Sequence, residues 1–348
     1  MSKTKKILFI ITEDWYFLSH RFDLAKFLIK NNFEVGLITN ISNDNNKNII
    51  INSGIKLFEW KINRSSFSIY KNITYFIKLK KIVKSYKPYL IISVAFKPII
   101  FSILLSRICK KNNFILSFAG MGHLFISKKF QYYLMRQIVK IYYYLFINVK
   151  NTKLLFQNND DKKIFFNAKY KEIKRLIPGS GVDTEYFINN LPDLTKKNIL
   201  LMPTRLLKTK GVVDFIEISK EFKKNKLDIK FILIGDIDTK NPDSLKKFEL
   251  EEYKKLDHID ILPKTENLLS FYQNAFAVCL LSYREGLPKT LLEGASCSLP
   301  LIAYDVPGCR EIVKNSINGF LIPFKNKKIL YEKISSLFDN KKNLNNMG

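Results

Sequence analysis

Two glutamates separated by eight positions are the first residues whose types and spacing could do chemistry. Glu285 and Glu293 lie in the segment REGLPKTLLEGA, which covers residues 284–295 and follows the apolar stretch Phe276–Leu281. This order predicts a strand, a turn that contains Gly286, and the start of a helix. Free backbone N–H groups and the helix dipole at such a turn favour an anionic ligand, and Gly286 lets the backbone approach it closely.

The two carboxylates have different expected positions. Glu285 precedes the turn and would face whatever the loop binds, whereas Glu293 lies about one turn into the helix. A carboxylate there can accept hydrogen bonds from a vicinal diol, as acidic residues do for ribose. The alternative is a helix N-terminus with ordinary acidic residues, and the spacing alone does not separate the two interpretations.

A second segment supplies cations. Residues 203–211 read PTRLLKTKG, follow the predicted strand Asn198–Met202 and precede a predicted helix. Arg205 can hold phosphate oxygens through its planar fork, and Lys210 adds a point charge. Two cations at a strand end suit a diphosphate. Taken alone, however, the segment is better explained as a basic loop in a basic protein than as a diphosphate site.

Two segments of the first half carry weaker signals. Residues 116–123 place Gly120, Gly122 and His123 after a predicted strand, and His123 could act on a second substrate. A lone histidine is more often structural. Residues 13–21 follow the first predicted strand and contain aromatic and cationic side chains, which can stack on sugar rings and meet phosphate. The alternative is that Trp15 and Phe17 pack the loop. The candidate binding residues of this segment are Trp15, Tyr16, His20 and Arg21.

Short apolar, β-branched stretches alternate with longer amphipathic ones along the chain. The predicted strands of the first half are Ile7–Thr12, Glu34–Thr39, Lys56–Trp60, Leu90–Val94, Phe114–Phe118 and Lys153–Gln157. Those of the second half are Asn198–Met202, Lys230–Ile234, Asp260–Leu262, Phe276–Leu281 and Leu299–Ala303. The predicted helices are Phe17–Asn31, Ile69–Ser85, Val212–Lys224, Ser244–Leu256, Glu266–Asn274 and Lys289–Ala295.

This alternation predicts an α/β protein with two doubly wound, Rossmann-like domains in tandem. Proline and glycine in residues 177–181 indicate the join, so we expect domains at residues 1–178 and 179–348. Ligands of open parallel sheets bind at the carboxyl ends of strands. Two such domains facing each other would form a cleft, a preferred ligand site.

The net charge of +27 is unevenly distributed. Residues 1–190 hold 32 Lys/Arg and 11 Asp/Glu, whereas residues 191–348 hold 26 and 20. Between Trp60 and Asn159 there are 18 Lys/Arg and no acidic residue. Such a surface attracts phosphate polyanions, either nucleic acid or anionic lipid headgroups. Residues 128–146 mix cations with aromatics, which fits either a helix at a membrane interface or a packed helix with a basic outer face.

The spacing of the cysteines and the lengths of the apolar stretches narrow the class of protein further. The sequence has four widely spaced cysteines, which argues against a zinc site and favours buried reduced thiols: Cys109, Cys279, Cys297 and Cys309. We find no apolar stretch of the length that a membrane-spanning helix requires. The N-terminal apolar segment Ile7–Ile11 is too short for a signal sequence, so we expect a cytosolic protein.

Taken together, these segments resemble the retaining family 4 (group 1) glycosyltransferases of the GT-B fold, above all bacterial enzymes that build lipid-linked O-antigen, capsule or N-glycan precursors. The matching segments lie in the same order along most of the chain. They are residues 15–21 (WYFLSHR), 118–122 (FAGMG), 156–161 (FQNNDD), 177–183 (IPGSGVD), Arg205 with Lys210-Gly211, Ile234-Gly235, 285–293, and 299–308 (LPLIAYDVPG).

The resemblance implies roles for these residues. Arg205 and Lys210 would bind the donor diphosphate, and Glu293 the ribose hydroxyls. Glu285 and the backbone from Gly286 to Lys289 would hold the donor sugar, and Pro263-Lys264 would contact the base. The implied donor-binding residues are Arg205, Lys210, Pro263, Lys264, Glu285, Gly286, Leu287, Pro288, Lys289, Thr290 and Glu293. The implied acceptor-side residues are Trp15, Tyr16, His20, Arg21, Gly120, Gly122 and His123.

Catalysis would rest on Glu285, Lys210, Arg205 and His123, with cations stabilising the charge that develops on the diphosphate. The resemblance implies an enzyme that needs neither a metal nor another cofactor. The expected reaction transfers a hexose or N-acetylhexosamine from a UDP-sugar to an undecaprenyl-diphosphate-linked saccharide, with an anionic membrane surface and not nucleic acid as the other partner. The protein would then be peripheral on the inner face of the plasma membrane.

Two alternatives stay open. Relatives usually continue with a further helix that crosses back onto the first domain, and for the sequence up to Gly348 we expect either that this helix is absent or that the chain is truncated. A catalytically inactive partner subunit would also fit that departure. The charge alone would fit a nucleic-acid-binding protein, although no nucleic-acid motif accompanies it.

Overall fold

A computed structural model describes residues 4–62, 68–121, 130–165, 167–187, 197–239, 241–340 and 347. The chain divides into two compact units, which span residues 1–180 (unit 1) and 181–348 (unit 2). Each unit is built around its own parallel sheet, as the alternating pattern predicts. No helix in the described part of the chain combines the length and apolarity required to cross a bilayer.

In the described part of unit 1, seven parallel strands form a sheet of order β3-β2-β1-β4-β5-β6-β7. The strands are β1 (Lys6–Glu13), β2 (Glu34–Asn40), β3 (Lys56–Glu59), β4 (Leu90–Val94), β5 (Asn113–Phe118), β6 (Thr152–Phe156) and β7 (Lys174–Leu176). The central strands are almost fully buried, because helices cover both faces of a parallel sheet. This burial explains why they are continuous apolar stretches in the sequence.

The helices of unit 1 are divided between the two faces of its sheet. They are α1 (Asp14–His20), α2 (Phe22–Lys30), α3 (Asp44–Asn52), α4 (Ile69–Tyr86), α5 (Phe96–Ile108), α6 (Phe130–Phe146) and α7 (Asn159–Ile164), with a 3-10 helix at Ala168–Ile173. One apolar core contains Phe17, Ala25 and Ile50 from the first three helices. The cores on the other face contain residues of α4, α5 and α6.

Unit 2 repeats the same topology. Its sheet, within the described residues, has six parallel strands in the order β10-β9-β8-β11-β12-β13. The strands are β8 (Ile199–Pro203), β9 (Lys230–Ile234), β10 (Ile259–Leu262), β11 (Ala275–Leu280), β12 (Leu301–Tyr304) and β13 (Gly319–Ile322). The helices are α8 (Val212–Lys224), α9 (Lys247–Lys254), α10 (Leu268–Asn274), α11 (Lys289–Ser296), α12 (Cys309–Ile312) and α13 (Lys327–Asp339).

The structure confirms the predicted fold class and differs from the predicted elements in three places. The predicted helix Phe17–Asn31 is two helices, because the backbone leaves helical geometry at Arg21. Two strands were not predicted, β7 and β13. Both are short and lie at the edge of their sheets. The strand β7 reads Lys-Arg-Leu and has little apolar character, and β13 is apolar but only four residues long.

Gly211 marks a close approach between the segment after β8 and the segment after β11. Its φ is +75°, and a Cβ at this position would lie 2.1 Å from the Leu281 carbonyl oxygen. Gly181 has nearly the same φ, +76°, but no atom within 4 Å of its Cβ position. The two glycines therefore separate the cost of left-handed backbone geometry from the cost of a steric clash.

We expect Gly211→Ala to destabilise the protein by about 2 kcal/mol more than Gly181→Ala, because it adds overpacking against backbone to the same left-handed strain. Urea unfolding of both variants, followed by circular dichroism, measures the difference. Equal unfolding midpoints for the two variants would contradict the close packing of these two segments.

Candidate functional site

The predicted strand, turn and helix around Glu285 are present. β11 ends at Leu280, Pro288 is the N-cap of α11, and the helix continues to Ser296. Gly286 and Pro288 are buried, while Leu287, Lys289 and Thr290 are partly exposed. The Glu285 N–H donates to the Pro307 carbonyl at 3.1 Å, which ties this loop to the segment after β12.

Lys210 and Glu285 form an ion pair, although they are 75 positions apart in the chain. The Lys210 Nζ lies 2.5 Å from the Glu285 Oε1, and the two side chains are only 21% and 11% exposed. The Tyr283 N–H also donates to the Thr209 carbonyl at 2.9 Å. The cause is topological: β8 and β11 are neighbours in the sheet, so the segments that follow them meet at the carboxyl edge.

Arg205 makes a different ion pair at the same edge. Its Nη1 lies 3.0 Å from the Asp238 Oδ2, on the loop that follows β9. Asp238 is mostly buried and was not predicted as a site residue. The sequence signal that could have identified it is its position in Gly235-Asp236-Ile237-Asp238, directly after a predicted strand. The carboxyl edge of the sheet in unit 2 thus carries two cationic side chains, Lys210 and Arg205, and each is oriented by a carboxylate.

Glu293 is buried in the first turns of α11. The Tyr272 hydroxyl donates to its Oε2 at 2.8 Å, and the Lys289 Nζ lies 3.8 Å from its Oε1. Burial raises the pKa of the Glu293 carboxyl above its ordinary value, while Tyr272 and Lys289 oppose that rise. Tyr272 was also not predicted, because the pattern of 266–274 indicated only a helix.

Thr290 fixes the start of α11 against the neighbouring strand. Its hydroxyl donates to the Pro203 carbonyl at 2.8 Å, and its own carbonyl oxygen lies 3.2 Å from the Tyr272 hydroxyl oxygen. Pro263 and Lys264 are exposed at the end of β10, and the Lys264 N–H donates to Asp236 at 3.2 Å. Their predicted contact with a base stays a prediction.

The candidate residues of unit 1 lie after β1 and β5. Tyr16 and His20 stack with ring centroids 4.3 Å apart, and Trp15 packs edge-on against Tyr16. Arg21 is buried, donates to the His20 carbonyl at 2.8 Å and reaches the Ser117 hydroxyl at 3.4 Å. The structure therefore brings Arg21 to the carboxyl end of β5.

Gly120, which follows β5, has a φ of +95°, a backbone geometry that favours glycine. Gly122 and His123 lie outside the described residues, so their predicted roles stay predictions. Among the residues that the structure describes, no group of three His, Cys, Asp or Glu side chains could hold a metal ion. The expectation of metal-independent chemistry stays a prediction.

Two family models match the chain, one for each unit. The model of glycosyl transferases group 1 matches residues 183–348, and the glycosyl transferase 4-like model matches residues 6–158. Both matches include the strand ends described above.

Named relatives and solved structures agree with these matches. An α-1,3-N-acetylgalactosaminyltransferase of Campylobacter jejuni, which acts on N,N'-diacetylbacillosaminyl-diphospho-undecaprenol, is 28% identical over 83% of this chain and 78% of its own length. The Escherichia coli UDP-Gal:α-D-GlcNAc-diphosphoundecaprenol α-1,3-galactosyltransferase is 29% identical over 54% of this chain and 52% of its own length. Anabaena HepE in complex with UDP and glucose has a TM-score of 0.73 at 16% identity, covering 99% of this chain and 92% of that chain.

Two parallel sheets of the order 3-2-1-4-5, with charged residues where the central strands end, define a protein of the GT-B class. The chain belongs to the group 1, family 4-like glycosyl transferases and is an enzyme of the hexosyltransferase type.

We expect Glu293→Gln to stabilise the protein at neutral pH. The pKa of the Glu293 carboxyl is higher in the folded state than its ordinary value of 4.5, so the protonated form stabilises the fold fully below pH 4.5. This stabilisation is lost as the pH rises through the folded-state pKa. Glutamine still accepts from Tyr272 but never ionises. Thermal unfolding midpoints between pH 4 and 8 should therefore diverge from wild type as pH rises.

Glu251→Gln on α9 is the matched control, since the Glu251 side chain is 66% exposed and makes only a surface ion pair. Its midpoint should follow wild type at every pH. A Glu293→Gln curve that also followed wild type would contradict the buried position of the Glu293 carboxyl.

Proposed function

We propose that this enzyme transfers a hexose or N-acetylhexosamine from a UDP-sugar to an undecaprenyl-diphosphate-linked saccharide, with retention of anomeric configuration, in surface polysaccharide or glycan biosynthesis. The observation that carries the proposal is the Lys210–Glu285 pair at the adjoining ends of β8 and β11. The activities of the Campylobacter and Escherichia coli relatives, both on undecaprenyl-diphosphate-linked sugars, support the acceptor class.

The charges of unit 2 suit the donor. Lys210 and Arg205 lie where a diphosphate would approach the carboxyl edge of the sheet, and each is already oriented by a carboxylate. A diphosphate would share Lys210 with Glu285, and the Glu285 carboxylate is of the type that accepts hydrogen bonds from the hydroxyls of a sugar. The bound UDP and glucose of the structurally similar Anabaena protein support a UDP-sugar as donor.

The position of Glu293 suits binding of the donor ribose and does not suit a nucleophilic attack on the sugar. Its Oε2 is fixed by the Tyr272 hydroxyl, and its burial holds the carboxylate in a single position. A fixed acceptor can bind a vicinal diol, whereas a nucleophile must reach the anomeric carbon. Catalysis then rests on Lys210 and Arg205, which stabilise the negative charge that the leaving diphosphate gains as the sugar–phosphate bond breaks.

The helices of unit 1 suit an acceptor that is anchored in a bilayer. On α6, Phe130, Leu134, Ile138 and Ile141 are exposed, and on α4 Ile69, Tyr70, Ile73 and Ile77 are exposed as well. The segment from Trp60 to Asn159 contains no acidic residue. Exposed apolar side chains among cations favour the interface helix over the packed helix with a basic outer face, and an anionic membrane over nucleic acid.

We expect Lys210→Ala to lower transfer by about a hundredfold, since it removes a preorganised cation from the developing charge. The measurement is release of UDP and sugar incorporation into a short-chain diphosphate-linked acceptor. Lys208→Ala is the matched control, because Lys208 lies in the same turn and pairs with Glu249 instead. It should retain transfer within about threefold.

Glu285→Ala should also lose transfer, because it removes both the partner of Lys210 and the acceptor for the sugar. If Lys210→Ala and Glu285→Ala both transferred sugar at the wild-type rate, the assignment of the donor site would be wrong. UDP release without any transfer by the wild-type chain would count against the acceptor class alone.

Ile138→Glu should weaken binding to phosphatidylglycerol vesicles by about tenfold. It replaces an apolar side chain that would be buried in the interface with a negative charge, which the anionic lipid repels. Vesicle sedimentation measures this binding. Ile317→Glu is the control, since Ile317 is similarly exposed (70% against 65%) but lies in unit 2. Equal loss in the two variants would contradict docking through α6.

A further inference from the structure

Four polar side chains from neighbouring segments of unit 2 form a cluster that includes none of the predicted donor or acceptor residues. Asp214 lies in the first turn of α8, Tyr304 is the last residue of β12, and Tyr283 and Lys325 follow β11 and β13. The strands β8, β11, β12 and β13 are consecutive neighbours in the sheet, so the segments after them lie side by side at its carboxyl edge. We call these four residues the Asp214 cluster.

A buried hydrogen bond lies at the centre of the Asp214 cluster. The Tyr304 hydroxyl donates to the Asp214 Oδ2 at 3.0 Å, although the two residues are 90 positions apart. Tyr304 is 0% exposed and Asp214 is 7% exposed. A buried carboxylate costs free energy unless it accepts hydrogen bonds, and bonds to a charged acceptor are the stronger ones. This bond therefore fixes the start of α8 against the end of β12.

Tyr283 extends the cluster to the segment after β13. Its hydroxyl interacts with both Asp214 and Lys325, and the Lys325 Nζ lies 4.5 Å from the centroid of its ring. Phe324 packs edge-on against the rings of Tyr283 and Tyr304, at 5.0 and 5.5 Å between centroids. Lys325 has a φ of +60°, a left-handed geometry that costs free energy in a residue other than glycine and that its surroundings must hold.

Short pieces of chain connect this cluster to the Lys210–Glu285 pair. Only three residues separate Asp214 from Lys210, and only two separate Tyr304 from Pro307. The Pro307 carbonyl accepts from the Glu285 N–H at 3.1 Å. A change in the distance between the start of α8 and the end of β12 would therefore move the two members of the pair relative to each other.

We propose that Asp214 and Tyr304 are positioning residues for sugar transfer, because their hydrogen bond holds the segments that carry Lys210 and Glu285 at the separation at which the pair meets the donor diphosphate. Neither side chain acts on the donor directly. The proposal rests on the proposed function and deepens it, because it assigns the residues that set the geometry of the donor site.

A double-mutant cycle on UDP affinity tests the proposal with the full chain. Lys210→Ala should bind UDP about tenfold more weakly than wild type, since it removes one charged contact to the diphosphate. Tyr304→Phe should bind UDP about fivefold more weakly, because Lys210 is then misplaced. The double variant should bind UDP no more than about twofold more weakly than Lys210→Ala, since a residue that acts through Lys210 has no further effect once Lys210 is gone.

Isothermal titration calorimetry separates positioning from a general loss of structure. Partial unfolding lowers the number of sites that bind UDP, whereas misplacement of Lys210 raises the dissociation constant of the sites that remain. Full, independent losses of UDP affinity in the two single variants, which multiply in the double variant, would overturn the proposal. Wild-type UDP affinity in Tyr304→Phe would overturn it as well.

The Asp214 side of the bond gives a second test that does not depend on the folding of Tyr304→Phe. Asp214→Asn keeps an oxygen that can accept from the Tyr304 hydroxyl, so it should bind UDP within about twofold of wild type. Asp214→Ala removes the acceptor and should lose UDP affinity by about fivefold, as Tyr304→Phe does. Equal UDP affinity of Asp214→Asn and Asp214→Ala would contradict the positioning role.

Tyr86→Phe is the matched control in unit 1. The Tyr86 side chain is also buried, and its hydroxyl donates to the Glu34 carbonyl at 3.3 Å. This variant should lose stability in thermal unfolding and keep wild-type UDP affinity. A loss of UDP affinity equal to that of Tyr304→Phe would overturn the proposal.

The cycle distinguishes failure of this proposal from failure of the proposed function. Wild-type UDP affinity and transfer in Lys210→Ala would mean that the donor site itself is assigned wrongly, and the positioning role would fall with it. An impaired Lys210→Ala together with independent effects of Tyr304→Phe would overturn the positioning role alone and leave the donor site in place.

Discussion

The order of strands in the sheet of unit 2 places β8 between β9 and β11, so the chain leaves β8 towards one side and leaves β11 towards the other. The segments that follow these two strands lie side by side at the carboxyl edge before the chain turns to opposite sides, so Lys210 and Glu285 can meet there. Gly211 permits this approach, since its missing Cβ would overlap the Leu281 carbonyl. The Lys210–Glu285 pair is the direct result, and the proposed donor site depends on it.

Around this pair, each charged group is held by a partner that limits where it can point. Asp238 holds Arg205, and Tyr272 holds Glu293. A site that is already oriented does not need to reorganise when charge develops in the transition state, which is the main source of electrostatic catalysis. The burial of Glu293 is unfavourable for its ionised form, so this part of the site lowers stability in exchange for a fixed acceptor.

Unit 1 has the same strand order but a different distribution of side chains. Its helices α4, α5 and α6 cover one face of the sheet, and they lie in a part of the sequence without acidic residues. The inner sides of these helices fill the apolar cores, while isoleucines and aromatics on α4 and α6 are exposed. The proposed membrane contact would use this outer side, and the fold uses the inner side.

The sequence by itself determined the fold class, most strands and the segments that carry the chemistry. Buried parallel strands are continuous apolar stretches, and glycine, proline and charged residues mark the turns after them, so both signals are local. It could not give the edge strands β7 and β13, which are only three and four residues long, or the break at Arg21. Nor could it show that Lys210 pairs with Glu285, that Arg205 pairs with Asp238, or that Tyr272 holds Glu293. Those partners are distant in the chain, and only the pairing of strands and the packing of α10 and α11 on the sheet decide which side chains come within hydrogen-bonding distance.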